Sequence, residues 1–304
     1  MSLISAPRIY APSGPVTEIC LTRLPAIPKL FATLITLSLV RKSSLAEDAV
    51  LDNVKTVYRG WQLDPSQVSR FKSVCGYGDD GPDVPAPYFQ TLFIGLVSRF
   101  ISSSHFPINP MGLIQTGQSF CLERHVLLSE TLDLSCTLRD MTQTPRGINT
   151  RMTFEATSNE ETVWQGTATY FTRAKNPPPK EGASNVEDHG LPVMETIQVP
   201  ADTGRRYAAV SRDYNPHHLY PWTAKLIGFK RAIAHGIWSL ARAGASLEKA
   251  WGYPERLEMN GSLKLPIFLP SSITLGYEEQ GGDICFELRN EATALPHLKG
   301  TFRF

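Results

Sequence analysis

The chain has 304 residues, enough for two domains of roughly 150 residues each. Its 42% hydrophobic content, with 14 Phe, 10 Tyr and 5 Trp, supports a sizeable core, and 30 basic against 29 acidic residues leave a net charge of +1. That balance argues against a disordered chain and against a nucleic-acid binder with a basic excess. Charged residues are only 19% of the chain, below the roughly 25% usual for soluble proteins, so apolar surface is expected to face a partner, a homodimer being one such assembly.

Cys20, Cys75, Cys121, Cys136 and Cys285 are scattered, with no CxxC pair. Free thiols in a reducing compartment are expected, and neither a zinc ribbon nor a redox motif. The most apolar run, residues 30–40 (LFATLITLSLV), lies between Lys29 and the Arg41-Lys42 pair. It is too short for a spanning helix, which needs about 20 apolar residues, and a signal peptide would carry its apolar run nearer Met1. A core-packed or interfacial helix over residues 24–46 is expected, inside an N-terminal helical extension covering 1–49. The protein reads as soluble and cytoplasmic, without stable membrane insertion.

Residues 56–63 (TVYRGWQL) alternate as a strand does. Asp64-Pro65 then offers a cap and a first-turn proline for a helix through Val74. A long amphipathic helix is expected over residues 87–102, and strands over 119–128, 131–139, 149–156 and 161–173. The same order returns after residue 192: a strand at 195–199, a short helix through Val210, a long helix at 236–250, and strands at 256–265, 273–279, 283–290 and 298–304. At an offset of 136 residues, the distance from Arg70 to Arg206, RFKSV meets RYAAV. Such self-similarity is the mark of duplication. Two α+β units are expected at 50–175 and 192–304, each a sheet wrapped around a long helix, joined by an exposed linker at 176–191 that carries three consecutive prolines.

One segment carries chemistry: residues 207–241, YAAVSRDYNPHHLYPWTAKLIGFKRAIAHGIWSLA. Asp213 and His218 sit five apart on a proline-broken stretch, suited to a loop that folds two acid/base groups over a pocket. Gly236 opens the long helix, where free N–H groups point outward and meet negative charge. Taken alone, Asp213 and Asn215 before a proline are ordinary turn formers, and His235 is a satisfied structural histidine supporting Gly236. Neighbouring side chains in extended chain point opposite ways, which makes His217 a rim or packing residue. Lys225, Lys230 and Arg231 form a solvated face or meet phosphates.

Tyr207, Ala208, Ser211, Asp213, Asn215, Pro216, His218, Ala224, Gly228, Phe229, Ile233, Ala234, His235 and Gly236 follow the pattern YAxxSGDxNPxHxxxxxAxxxGFxxxIAHGM. The segment thereby resembles the MaoC-like (R)-specific enoyl-CoA hydratases and 3-hydroxyacyl-thioester dehydratases, and the layout of the whole chain resembles their two-hotdog members. The resemblance implies an α+β double hotdog and a hydro-lyase of fatty acid metabolism that interconverts trans-2-enoyl and (R)-3-hydroxyacyl thioesters. It implies Asp213 and His218 as the catalytic pair, the Gly236 N–H as oxyanion donor and Asn215 as an orienting group. Tyr207, Phe229, Ile233, Ala234, His235 and Lys225 are the implied substrate-binding residues. No metal and no cofactor is implied beyond the coenzyme A or phosphopantetheine of the substrate, which is an acyl-CoA or an acyl carrier protein thioester. Arg212 stands where the family has glycine.

At the 136-residue offset Asp213 faces Tyr77 and His218 faces Pro82. The first unit is therefore expected to be a degenerate, non-catalytic copy. Phe89, Leu92, Phe93 and Leu96 are expected to line an acyl channel there, with Gly95 at its border. The alternatives are a hotdog acyl-CoA thioesterase and a catalytically silent acyl-thioester-binding module.

Overall fold

A computed structural model describes residues 7–178 and 190–304, so residues 179–189 of the expected linker lie outside the described residues. The chain opens with strands β1 (Arg8–Tyr10) and β2 (Pro12–Leu21) and helix α1 (Ile27–Val40). Strand β3 (Leu51–Gln62), helix α2 (Pro65–Cys75), a 3₁₀ turn (Ala86–Tyr88) and helices α3 (Phe89–Leu92) and α4 (Ile94–Ile101) follow. Strands β4 (Ile114–Leu122), β5 (Thr131–Thr144), β6 (Gly147–Ser158) and β7 (Glu161–Arg173) complete the first unit. The second contains β8 (Val193–Val199), helices α5 (Thr203–Ser211), α6 (Pro216–Leu219), α7 (Pro221–Leu226) and α8 (Gly236–Ala250), then β9 (Leu257–Leu263), β10 (Ser271–Gln280), β11 (Asp283–Asn290) and β12 (Pro296–Arg303).

The local signals act as expected at α2, where the Asp64 carboxylate accepts from the Ser66 N–H at 2.9 Å and Gly76 closes the helix at φ 84°. The sheet runs in the order β2-β3-β5-β6-β7-β4-β9-β12-β11-β10-β8. From β3 to β8 this is a palindrome of corresponding strands, two hotdog sheets joined edge to edge by the antiparallel pair β4–β9, with Ser119 opposite Asn260. Phe71 of α2 and Tyr207 of α5, partners at the 136-residue offset, meet with ring centroids 6.1 Å apart. The Trp238 indole N–H donates to the Val74 carbonyl at 3.0 Å across the same seam. The fold is a double hotdog.

Three expectations are corrected. Residues 1–49 are not purely helical, because β2 runs parallel to β3 and covers an edge that would otherwise present unpaired N–H and C=O groups. Most of β2 is exposed and it contains Pro12 and Pro15, which an edge strand tolerates, so neither alternation nor propensity marks it. The long helix of the first unit is broken at Phe93, whose N–H bonds the Gln90 carbonyl at 3.3 Å in a tightened turn. Finally, Phe89, Leu92, Phe93 and Leu96 do not line an open channel. They are buried, and the two phenylalanines stack on Trp164 at 5.8 and 5.4 Å. Gly95 faces the N-terminal segment: a Cβ there would stand 2.4 Å from Leu24 Cδ2.

The Tyr77 hydroxyl donates to Glu248 Oε1 of α8 at 2.6 Å, and both residues are buried. Burial pushes the Glu248 carboxyl from 4.5 up to about 7, against the pull of the tyrosine bond. A carboxyl raised in the folded state favours folding below its unfolded pKa, and that contribution is lost as pH rises to the folded value. Wild type should therefore lose stability relative to Glu248→Gln between pH 4.5 and about 7, by up to about 3 kcal/mol. Urea unfolding of both proteins across that range measures the difference, which should be constant above pH 8.

Candidate active site

Helix α5 ends at Arg212, which adopts the left-handed conformation at φ 62° and ψ 13° and donates its N–H to Ala208 O at 2.9 Å. The reversal turns Asp213 back over the helix end, where its N–H meets Ser211 Oγ at 3.2 Å. Asn215 then holds the carboxylate, donating to Asp213 Oδ1 from Nδ2 at 2.6 Å and from its main chain at 3.2 Å. Pro216 opens α6, and its single turn carries His218 inward to 7% exposure.

A second segment meets this loop from below. Ile233 bridges to Phe268, Ala234 N–H bonds Ile267 O, and Ile233 N–H bonds His217 O. The Ile233 carbonyl accepts from His218 Nδ1 at 2.9 Å. An acceptor carbonyl requires the proton on Nδ1, so Nε2 keeps its lone pair. His235 caps α8, and its Nε2–H donates to the Asp213 carbonyl at 2.9 Å. Asp213, His218 and His235 thus offer side-chain atoms within 4.8 Å of one another.

Burial, with help from His235, holds His218 well below the usual imidazole range, and burial takes His235 to about 3. Both rings are neutral at pH 7. They stack with centroids 3.6 Å apart and planes 23° from parallel.

Gly236 stands at the first position of α8, where the N–H has no partner within the helix. The absence of a side chain serves packing first: a Cβ would come 2.4 Å from Leu263 Cδ1. Tyr207 lies 4.9 Å from the His235 ring, and its hydroxyl and His235 Nδ1 are buried without a protein partner among the described residues. Ile233 and Ala234 are buried and take part through their main chain. Phe229 packs on His217 at 5.5 Å, one ring removed from the cluster, while Lys225 is exposed on α7.

The structure adds residues that the sequence reading missed. Gly204 lies inside α5, and a Cβ on it would stand 1.9 Å from the His218 carbonyl oxygen, so this glycine lets α6 close on α5. Glycine within a helix costs about 1 kcal/mol against alanine, a signal that was available. Arg205 donates to Leu219 O at 3.1 Å and lies over the Tyr220 ring at 5.0 Å, anchoring the far end of α6. Tyr170 of β7 comes from the other unit; burial, with the charges of Cys136 and Asp213 adding, holds its phenol above the usual range. No sequence pattern announces a contact between units.

The comparisons with known proteins bear on the family and the fold. The model of the MaoC-like domain matches residues 185–300. The chain contains a MaoC-like domain. It is 26% identical over 250 residues to 3-hydroxyacyl-thioester dehydratase X of Mycobacterium tuberculosis, covering 79% of this chain and 86% of that one. The crystal structure of that protein, HtdX, superposes with a TM-score of 0.71 at 24% identity, over 82% of this chain and 99% of its own. A MaoC-like dehydratase from Phytophthora capsici matches with a TM-score of 0.65 at 17% identity, over 83% and 95% of the two chains.

Two substitutions test how the MaoC-like loop is held. Arg212→Gly should raise stability by about 1 kcal/mol by removing the left-handed strain. Gly204→Ala should lower it by about 1–3 kcal/mol through overpacking against His218 O. Chemical denaturation reads both.

Proposed function

We propose that this chain is a hydro-lyase that interconverts trans-2-enoyl and (R)-3-hydroxyacyl thioesters, with Asp213 and His218 as its acid/base pair and the Gly236 N–H as an oxyanion donor. The observation that carries the reading is the His218 tautomer: Nδ1–H is spent on Ile233 O, which leaves a basic Nε2 next to the Asp213 carboxylate. The sequence similarity to 3-hydroxyacyl-thioester dehydratase X supports it.

Dehydration takes a proton from Cα and gives one to the departing hydroxyl, so no net proton enters or leaves. Both groups begin as acceptors, so the proton that the pair removes from Cα is the one it delivers to the hydroxyl, which departs as water, and neither step needs a redox partner. As the α-proton leaves, charge builds on the thioester oxygen. The free N–H at the start of α8, with the positive end of the helix behind it, faces that charge. Asn215 fixes the carboxylate through two bonds. The thioester carrier is coenzyme A or the phosphopantetheine of an acyl carrier protein, and no further cofactor takes part.

In this reading residues 192–304 hold the active centre, residues 50–175 are a non-catalytic partner, and each chain has one site. Tyr77, the counterpart of Asp213, is committed to Glu248, which fits a first unit without acid/base chemistry.

Asp213→Asn and His218→Ala should each reduce hydration of crotonyl-CoA by at least about 10²-fold with folding intact, followed as loss of the enoyl absorbance. Release of free thiol in place of hydration would identify a thioesterase, and absence of turnover a silent binding module. Because burial holds His218 below the usual imidazole range, kcat/KM should be level through pH 6–8 and fall only on further acidification, as Nε2 takes a proton. A profile falling through pH 6.5 would remove His218 as the base.

A further inference from the structure

We infer that helix α1 seats this protein on the surface of a bilayer containing anionic lipid. The apolar run 30–40 is not core-packed. Along its inner line Leu34 is buried, and Leu30, Thr33, Leu37 and Ser38 are half-buried. The opposite line, one helical repeat around, carries Ile35 at 53%, Leu39 at 81% and Val40 at 74% exposure. The helix is held at its C-terminal end: the Arg41 guanidinium donates to Ile101 O and Ser103 O at 3.2 and 2.7 Å, and Asn109 N–H donates to Lys42 O at 2.8 Å. Its apolar face is therefore presented in a fixed orientation.

Two observations select lipid as the occupant. Thr36 donates its hydroxyl to Ala32 O at 3.0 Å and Ser38 donates to Ile35 O at 2.6 Å. The exposed Thr36 can therefore enter a medium without water with its donor satisfied, the requirement that hydrocarbon places on a helix. Second, the chain has no acidic residue between Glu18 and Glu47, whereas the exposed Arg23 and Lys42 flank the helix on either side. Cations beside an apolar helix face are attracted to anionic headgroups while the face enters the acyl boundary. A second copy of the chain fits less well, since a stable dimer needs roughly 20–30 residues a side and, among the described residues, this face offers three large apolar side chains. The helix has 14 residues, and no helix of the described residues is long and apolar enough to cross a membrane. The attachment lies in the interface plane and does not depend on the reaction proposed above.

Flotation of the full-length protein with vesicles of phosphatidylcholine, with and without about one-third phosphatidylglycerol, tests the inference. The wild type should float with the anionic vesicles, and at least about tenfold more weakly with phosphatidylcholine alone or at high salt. The double variant Leu39→Glu, Val40→Glu should lose at least about tenfold in anionic-vesicle affinity while its thermal unfolding and crotonyl-CoA turnover stay within twofold of wild type. Absence of flotation, or equal flotation of the double variant, would overturn the inference. So would a wild-type dimer in solution that the double variant converts to monomer without any vesicle binding, which assigns the face to a second copy.

Discussion

The antiparallel ladder between β4 and β9 is the contact on which the rest of the molecule depends. Each hotdog sheet ends there in an open edge, and an unpaired edge leaves a row of main-chain donors and acceptors in search of a partner. Pairing residues 117–122 with 257–262 closes both edges at once. It also brings α2 of the first unit against α5 and α8 of the second, so that Phe71 meets Tyr207 and Trp238 reaches Val74 O. Tyr170 stands on β7, beside β4, in the opposite unit from Asp213; the Asp213 charge, after burial and Cys136, helps to hold its phenol above the usual range.

Within the second unit, the chemistry rests on main-chain carbonyls more than on side-chain pairs. Ile233 O and Asp213 O accept from the two histidines and thereby decide which nitrogen of each ring carries the proton. Both acceptors belong to the segments that carry the functional side chains, so loop conformation and tautomer are one constraint. This explains a left-handed arginine at the end of α5. The φ of 62° at Arg212 turns the chain sharply enough to bring Asp213 O onto His235, and the cost of about 1–2 kcal/mol is of the same order as the net worth of one or two hydrogen bonds, about 0.5–1.5 kcal/mol each.

Much of this was legible in the sequence because periodicity and repeat act locally. The 136-residue offset predicted that α2 and α5 correspond, although not that Phe71 and Tyr207 would touch; corresponding residues meet at an approximate two-fold axis whose position no sequence gives. The Asp-x-Asn-Pro-x-His spacing placed three interacting side chains within one loop. Beyond that reach the reading failed for physical reasons. β2 lacks alternation because an edge strand has no second buried face, and the break at Phe93 falls where that ring stacks on Trp164, a residue 71 positions away. The expected acyl channel failed for the same cause, since an apolar helix face looks alike whether it lines a void or fills one.

In the first unit the position that corresponds to Asp213 is filled differently. A carboxylate there would have no histidine across from it, and an unpaired buried charge costs several kcal/mol. Tyr77 occupies the place instead and sends a hydroxyl 2.6 Å to Glu248, a residue of the opposite unit's central helix. Glu248 is 2% exposed, and its carboxyl is raised by that burial to about 7, so near neutral pH it is protonated in much of the population and burial of a full charge is avoided. The pair ties the two units together at the end of α8 distant from Gly236. One end of α8 thus leaves its first N–H groups without a partner inside the helix, while at the other a tyrosine and a glutamate satisfy each other. The asymmetry follows from hydrogen-bond satisfaction: a polar site can stay open only where a ligand arrives to complete it, and elsewhere the protein must complete it from its own residues.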